Sequence, residues 1–298
     1  MQYSETPPEY IGPATVVATR LVKRLKGGSQ PHLVECSDGT YCVVKFRNTP
    51  QHRRVLVNEW IGSRILQYLG IDTPGIRLVE FSTEFISKNG IGMRFGNVVF
   101  PVSEGLHFGS EYPGDPTTTM VFDLVPDPFL VRLHSPEHFW GVLMFDKWVS
   151  NADSRQCIFF RSRGDCDRAG ALRRPDFLAR MIDHGHIFGG RLWEFGTFQY
   201  GGLFERPIVY ESVHSLDVFA PWLRAIERFP ESILVKARGE LPATWTEGDQ
   251  MKLDDVLEEV MRRRAHMAGA LSVLAMPPVS LFPRLRRNYP RHGRRVIK

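Results

Sequence analysis

Residues 27–46 read GGSQPHLVECSDGTYCVVKF, and the order of the parts in this stretch decides the fold. A turn with two glycines leads into an apolar alternating run, then Ser37-Asp38-Gly39-Thr40, then a second apolar run that ends on Lys45. Asp-Gly between two such runs signals a tight hairpin, because the turn needs a positive φ that glycine adopts without steric cost. Upstream, TVVATRLV (15–22) is rich in β-branched residues. Three consecutive antiparallel strands are therefore expected, with the glycine turn between the first two. Residues 1–13, with Pro7, Pro8 and Pro13, read as an irregular lead-in.

Downstream the period changes. In HRRVLVNEWIGSRILQYL (52–69), Val55, Trp60, Ile61, Ile65, Leu66 and Leu69 fall largely on one helical stripe. Gly70 and Thr73-Pro74 stop that helix. IRLVEFS and NVVFPVSE read as further strands, and 102–118, dense in Gly, Pro and Asp, reads as a loop. PEHFWGVLMFDKWVSN is an amphipathic helix, IFFR and ARMIDHG are short strands, and helices are expected near 217–229 and 251–274. A β-rich first part with one helix, followed by a mainly helical second part, is an α+β plan with two lobes.

The bulk numbers agree with one large domain or two joined lobes. The chain has 298 residues, 43 % hydrophobic and 24 % charged, close to ordinary globular usage. The formal charge of +5 is local. Residues 284–298 carry seven Lys and Arg and no acid, which leaves 31 basic against 33 acidic residues elsewhere. That balance argues against a broad basic footprint for nucleic acid, while the short tail remains open to nucleic acid, an acidic surface or plain solvation. Cys36, Cys42, Cys157 and Cys166 lack CxxC spacing and are expected to be reduced. No stretch reaches the roughly 18 consecutive apolar residues of a membrane span. MQYSETPPEY has no basic region ahead of an apolar run, so a cytoplasmic location is expected.

Four signals carry chemistry. In Lys26-Gly27-Gly28-Ser29-Gln30-Pro31 the glycines would let backbone N–H groups approach phosphate oxygens, although most Gly-Gly pairs are only turns. Lys45 ends an apolar strand and is costly to bury unless an anion meets it; on its own it could equally extend to water. Glu59, fourteen residues on and between apolar helix positions, is placed to pair with Lys45 or to face solvent at the helix start. Asp153 and Asp183 each lie at the end of an apolar element. Phosphoryl transfer needs that division: one carboxylate orients the attacking hydroxyl and another holds Mg²⁺.

GGSQPHLVECSDGTYCVVKF, the Asn58-Glu59 pair, LGIDTP, FDKWVSNADSRQ and IDHGH together resemble the HipA-like kinases over roughly 12–270. The resemblance implies a two-lobed protein-kinase-like fold, with a kinase domain at 12–275 (lobes about 12–105 and 119–275) and a basic tail at 276–298. It implies ATP and Mg²⁺ as cofactors and a hydroxyl acceptor, with protein Ser or Thr favoured. Gly27, Gly28, Ser29, Gln30 and Lys45 would hold the nucleotide, Glu59 would fix Lys45, and Asp153 would be the catalytic base. Asp183 would be the principal metal ligand. The family usually places Asn five residues after the catalytic Asp as a second metal ligand; here that position is Ile158, leaving Gln156 or Asn151 as amide donors. Ser103 to Ser110, with His107, is expected at the passage between lobes, either bordering the nucleotide or as a surface loop. A catalytically silent nucleotide-binding module of the same fold is the competing expectation, motivated by Ile158. Retention of both carboxylates favours the enzyme.

Overall fold

The computed structural model describes residues 15–161, 177–198, 201–267 and 269. The basic tail and Cys166 lie outside the described residues, and so do the expected domain limits at 12 and 275. Strands β1 (Thr15–Arg24), β2 (His32–Cys36) and β3 (Tyr41–Lys45) run antiparallel as the hairpin signals require. In the β2–β3 turn, Gly39 adopts φ 79° and the Asp38 carboxylate accepts the Thr40 N–H at 3.0 Å. Helix α1 (Arg54–Tyr68) follows, then β4 (Ile76–Phe81) and α2 (Thr83–Asn89). Ser82 caps α2 by accepting the Phe85 N–H at 3.1 Å, and Gly90 ends it at φ 57°. Strands β5 (Gly92–Phe95) and β6 (Val98–Pro101) form a separate hairpin.

Strand β7 (Gly105–Glu111) corrects the reading of 102–118 as a loop. It lies between β3 and β4, with Lys45 opposite Phe108, and closes a barrel in the order β1-β2-β3-β7-β4. Gly109, one of the glycines that suggested a loop, serves the pairing: a Cβ there would lie 2.5 Å from Val79 Cγ2. His107 is accordingly inside the barrel, edge-on to Phe46 and Phe81 with ring centroids 5.3 and 5.1 Å away. Its Nδ1 accepts the Arg47 N–H at 3.0 Å, so Nε2–H donates to Ser103 O at 2.9 Å.

Burial pushes the His107 pKa down to about 4 from 6.5. Between those values the unfolded chain binds a proton that the folded chain refuses. Stability is therefore full above pH 6.5 and falls as the pH drops, by about 2 kcal/mol from this residue at pH 5. Urea unfolding at pH 7.5 and 5.0 should show a pH loss smaller by about that amount in His107→Gln than in the wild type. Equal losses would remove the assignment.

The second part of the chain holds β8 (Val121–Phe122), α3 (Asp127–Leu130), α4 (His138–Trp148), β9 (Gln156–Arg161) and β10 (Phe177–Ile182). It continues with α5 (Ala220–Glu227), α6 (Glu231–Gly239), α7 (Ala243–Thr246) and α8 (Gln250–Arg263). The strands β8, β9 and β10 form an antiparallel sheet with Gln156 opposite Ile182. Helix α6 has no counterpart in the sequence reading; it is short and buries only Leu234 and Ala237, too few to mark a stripe. Cys36, Cys42 and Cys157 are buried free thiols. No helix among the described residues is long and apolar enough to cross a membrane.

Two apolar cores result. One fills the barrel with Val16, Val34, Val44, Phe46, Val79 and Phe81. The larger joins α1 to the helical part, where Trp60, Ile61 and Ile65 share a core with Phe139, Leu143, Trp148 and Trp245. Polar bonds add to this seam: Trp60 Nε1 and Arg64 Nε both donate to Glu240, at 2.6 and 2.9 Å.

Candidate active site

The strand that ends on Lys45 and the helix that carries Glu59 meet the turn after β10. The Lys45 ammonium bonds Glu59 Oε1 and, at 2.9 Å, Asp183 Oδ1. Glu59, 2 % exposed, accepts the backbone N–H of His184 at 3.0 Å on its other oxygen. Three of the sequence-derived residues are thereby brought together, and Glu59 also grips the loop next to Asp183. Burial alone would lower the Lys45 pKa, but the two carboxylates outweigh it and hold the ammonium above its usual range. Burial would raise Asp183, yet Lys45 wins there too and keeps the carboxyl well below the ordinary value. Asp183 sits at φ 59°, a left-handed conformation that Asp adopts more readily than most residues. The chain therefore reverses at the residue whose carboxylate must face Lys45.

Asp153 lies at the start of the segment leading into β9. Its Oδ1 accepts the Ser154 N–H at 2.8 Å, and its carbonyl accepts the Gly202 N–H at 2.6 Å. Asn151 does not join the Lys45 group. It is 2 % exposed, its amide oxygen accepts the Asp153 N–H at 3.0 Å, and its Nδ2 donates to Asp146 at 2.8 Å. Gln156 is exposed on β9, opposite the residue that precedes Asp183, and Ile158 faces Arg180. In the glycine turn, Gly27 has φ 137° and Ser29 is buried. The Gln30 amide bonds the Arg94 backbone at both ends, 2.7 and 2.8 Å, which pins the turn to β5.

Arg155, Asp146, His184, Thr73 and Asn58 also shape the site. Arg155, with no exposed side-chain surface, forks onto Asp146 through Nε at 2.8 Å and a second bond. Its other edge donates to Ile182 O at 2.8 Å and His184 Nδ1 at 3.0 Å. Thr73 lies 3.2 Å from His184 Nε2. Asn58 faces the carbonyls of Gly185 and Ile187 at 2.8 and 3.0 Å, and accepts Trp193 Nε1 at 2.7 Å. A usable signal did exist: Asp146 interrupts an otherwise apolar helix, and a buried acid demands a partner. Gly196 and Leu203 are tied to 150–155 by Ser150 Oγ to Gly196 O at 2.7 Å and Arg155 N to Leu203 O at 3.0 Å.

This assembly couples a lysine–glutamate pair to an aspartate that begins a glycine-containing loop. Residues 18–158 match the family model of the HipA-like kinases, so the resemblance in the sequence is borne out over that stretch, just under half of the chain. No curated protein matches the chain. Among solved structures, the Golgi casein kinase aligns at 12 % identity and TM-score 0.43, covering 91 % of this chain and 75 % of that one. The same kinase with Mn/ADP bound aligns at 11 % identity, with the same score and coverage. The Helicobacter pylori proinflammatory kinase CtkA aligns at 12 % identity and TM-score 0.42, covering 85 % of this chain and 99 % of that one. At such scores the structural likenesses decide nothing by themselves.

Proposed function

We propose that the chain is a two-lobed ATP- and Mg²⁺-dependent kinase that phosphorylates a hydroxyl, with a protein Ser or Thr favoured. The barrel with α1 forms one lobe and the helical part the other, within a domain spanning about 12–275. The observation that carries this reading is Lys45 held between Glu59 and Asp183. An ammonium kept charged at the end of an apolar strand, with a partly open carboxylate beside it, suits a polyphosphate and its metal ion.

The donor set fits Mg²⁺ with a nucleotide. Among the described residues no group of three or more His, Cys, Asp or Glu side chains could hold a metal alone. Mg²⁺ commonly takes one or two carboxylates and completes its shell from phosphates and water. Asp183 would be its carboxylate and the exposed Gln156 an amide donor, while Asn151 already spends its oxygen on the Asp153 loop. The metal and nucleotide supply the transferable phosphate and charge neutralisation. In the protein, Lys45 binds phosphate oxygens, Glu59 keeps Lys45 in place, and Gly27, Gly28 and Ser29 line the turn above. Gln30 orders that turn through Arg94. Asp153 orients the acceptor hydroxyl and receives its proton.

Ile158 favours one second reading: a nucleotide-binding module that does not transfer phosphate. Transfer from γ-labelled ATP with Mg²⁺ separates the two. Label on the protein or a generic hydroxyl acceptor establishes the kinase. Binding of Mg-ATP without transfer selects the silent module, and no binding removes both. Asp183→Asn should weaken Mg-ATP about tenfold or more by calorimetry, since it removes the metal's carboxylate. An unchanged Kd would take the metal role away from Asp183.

A further inference from the structure

We propose that Arg155 is a positioning residue that fixes the Asp183 loop relative to the Asp153 segment, at the centre of a buried relay Asp146–Arg155–His184–Thr73. The meaning of the two carboxylates rests on the kinase reading above; the rest stands on geometry. Arg155 lies two residues after Asp153, and its guanidinium bonds the residues on both sides of Asp183, Ile182 O at 2.8 Å and His184 Nδ1 at 3.0 Å. Asp146 on α4 grips the opposite edge of the fork, and the Arg155 N–H donates to Leu203 O at 3.0 Å. Arg155 thus touches α4, the 201–203 stretch and both flanks of Asp183.

The relay has one consistent hydrogen placement. Arginine has no acceptor, so His184 Nδ1 accepts and its Nε2–H donates to Thr73 Oγ1 at 3.2 Å. The Thr73 hydroxyl then donates to Met181 O at 3.0 Å. The loop is therefore held from α4 on one side and from the α1–β4 link on the other. If Arg155 served only to neutralise Asp146, a lysine would do as well. Only the planar fork can bond Asp146 and reach the two flanks of Asp183 at the same time.

Arg155→Lys tests this, because it keeps the charge and removes the fork. The first readout is amide hydrogen exchange across 181–187 in the protein without nucleotide, which does not depend on activity. Exchange in Arg155→Lys should be about tenfold faster there, with cooperative unfolding retained. In the same preparations, kcat for transfer should fall about 100-fold while KM for ATP stays within about threefold. Thr73→Val, which loosens the far end of the relay, should raise the same exchange about threefold. Unchanged exchange in a folded Arg155→Lys overturns the proposal. Where that variant does not fold, unchanged exchange in Thr73→Val overturns it. Faster exchange in proteins whose wild type transfers nothing would keep the positioning role and remove the kinase reading.

Discussion

If the chain transfers phosphate as proposed, Asp153→Asn should lower the rate about a thousandfold while ATP binding stays within about threefold, the size expected for losing a general base. The substitution is nearly isosteric, and the amide oxygen can still accept the Ser154 N–H that orders the carboxylate now. The backbone is also secured independently, through Asn151 Oδ1 on one side and Gly202 N on the other. Loss of rate therefore reports the missing proton acceptor and not a collapsed loop. Lys45 bonds Glu59 and Asp183 without Asp153, so nucleotide affinity should be spared. A variant retaining a tenth or more of the wild-type kcat would sink the role given to Asp153.

Gly202→Ala should unfold the protein at a temperature lower by on the order of 10 °C. Two costs combine. Gly202 has φ 74°, where an L side chain is strained, and its Cβ would lie 2.0 Å from Asp146 Cβ. Strain of about 1–3 kcal/mol adds to overpacking of similar size. Neither can relax cheaply, because Asp146 is clamped by Arg155 and the Gly202 N–H is bonded to Asp153 O. Gly239→Ala is the control: its φ lies outside the positive region, and nothing stands within 4 Å of the added methyl. Thermal melts of the two variants should diverge, and a shift below about 2 °C for Gly202→Ala would contradict the packing described.

Local patterns made much of this architecture legible. The β2–β3 hairpin announced itself through Asp38-Gly39, and α1 through its apolar stripe and Gly70. The spacing of Lys45 and Glu59 was readable because a strand, a link and two helical turns bring those side chains level. What stayed hidden was non-local. Strand β7 looked like a loop because Gly109, which permits close strand contact, and Gly105, at φ 100°, are also turn residues. The pairing of Asp146 with Arg155 joins a helix to the start of a strand across a polar turn, and no period connects them. Thr73 and His184 are more remote still, meeting only because the α1–β4 link lies against the end of β10. Asn151 read as a free donor in the sequence, and only its neighbours reveal that its amide is already committed.

Helix α1 shares its core with the helical part of the molecule, and every residue from Val55 to Ser63 is buried. Swinging that helix outward to part Glu59 from Lys45 would expose Trp60, Ile61, Ile65 and Leu66, each about 1.5–3 kcal/mol to uncover. It would also sever the bonds to Glu240 and the Arg54–Asp249 pair. An effector needs roughly 5.5 kcal/mol of differential affinity to invert a two-state balance, and this displacement asks for more. The helix is a fixture and not a lever.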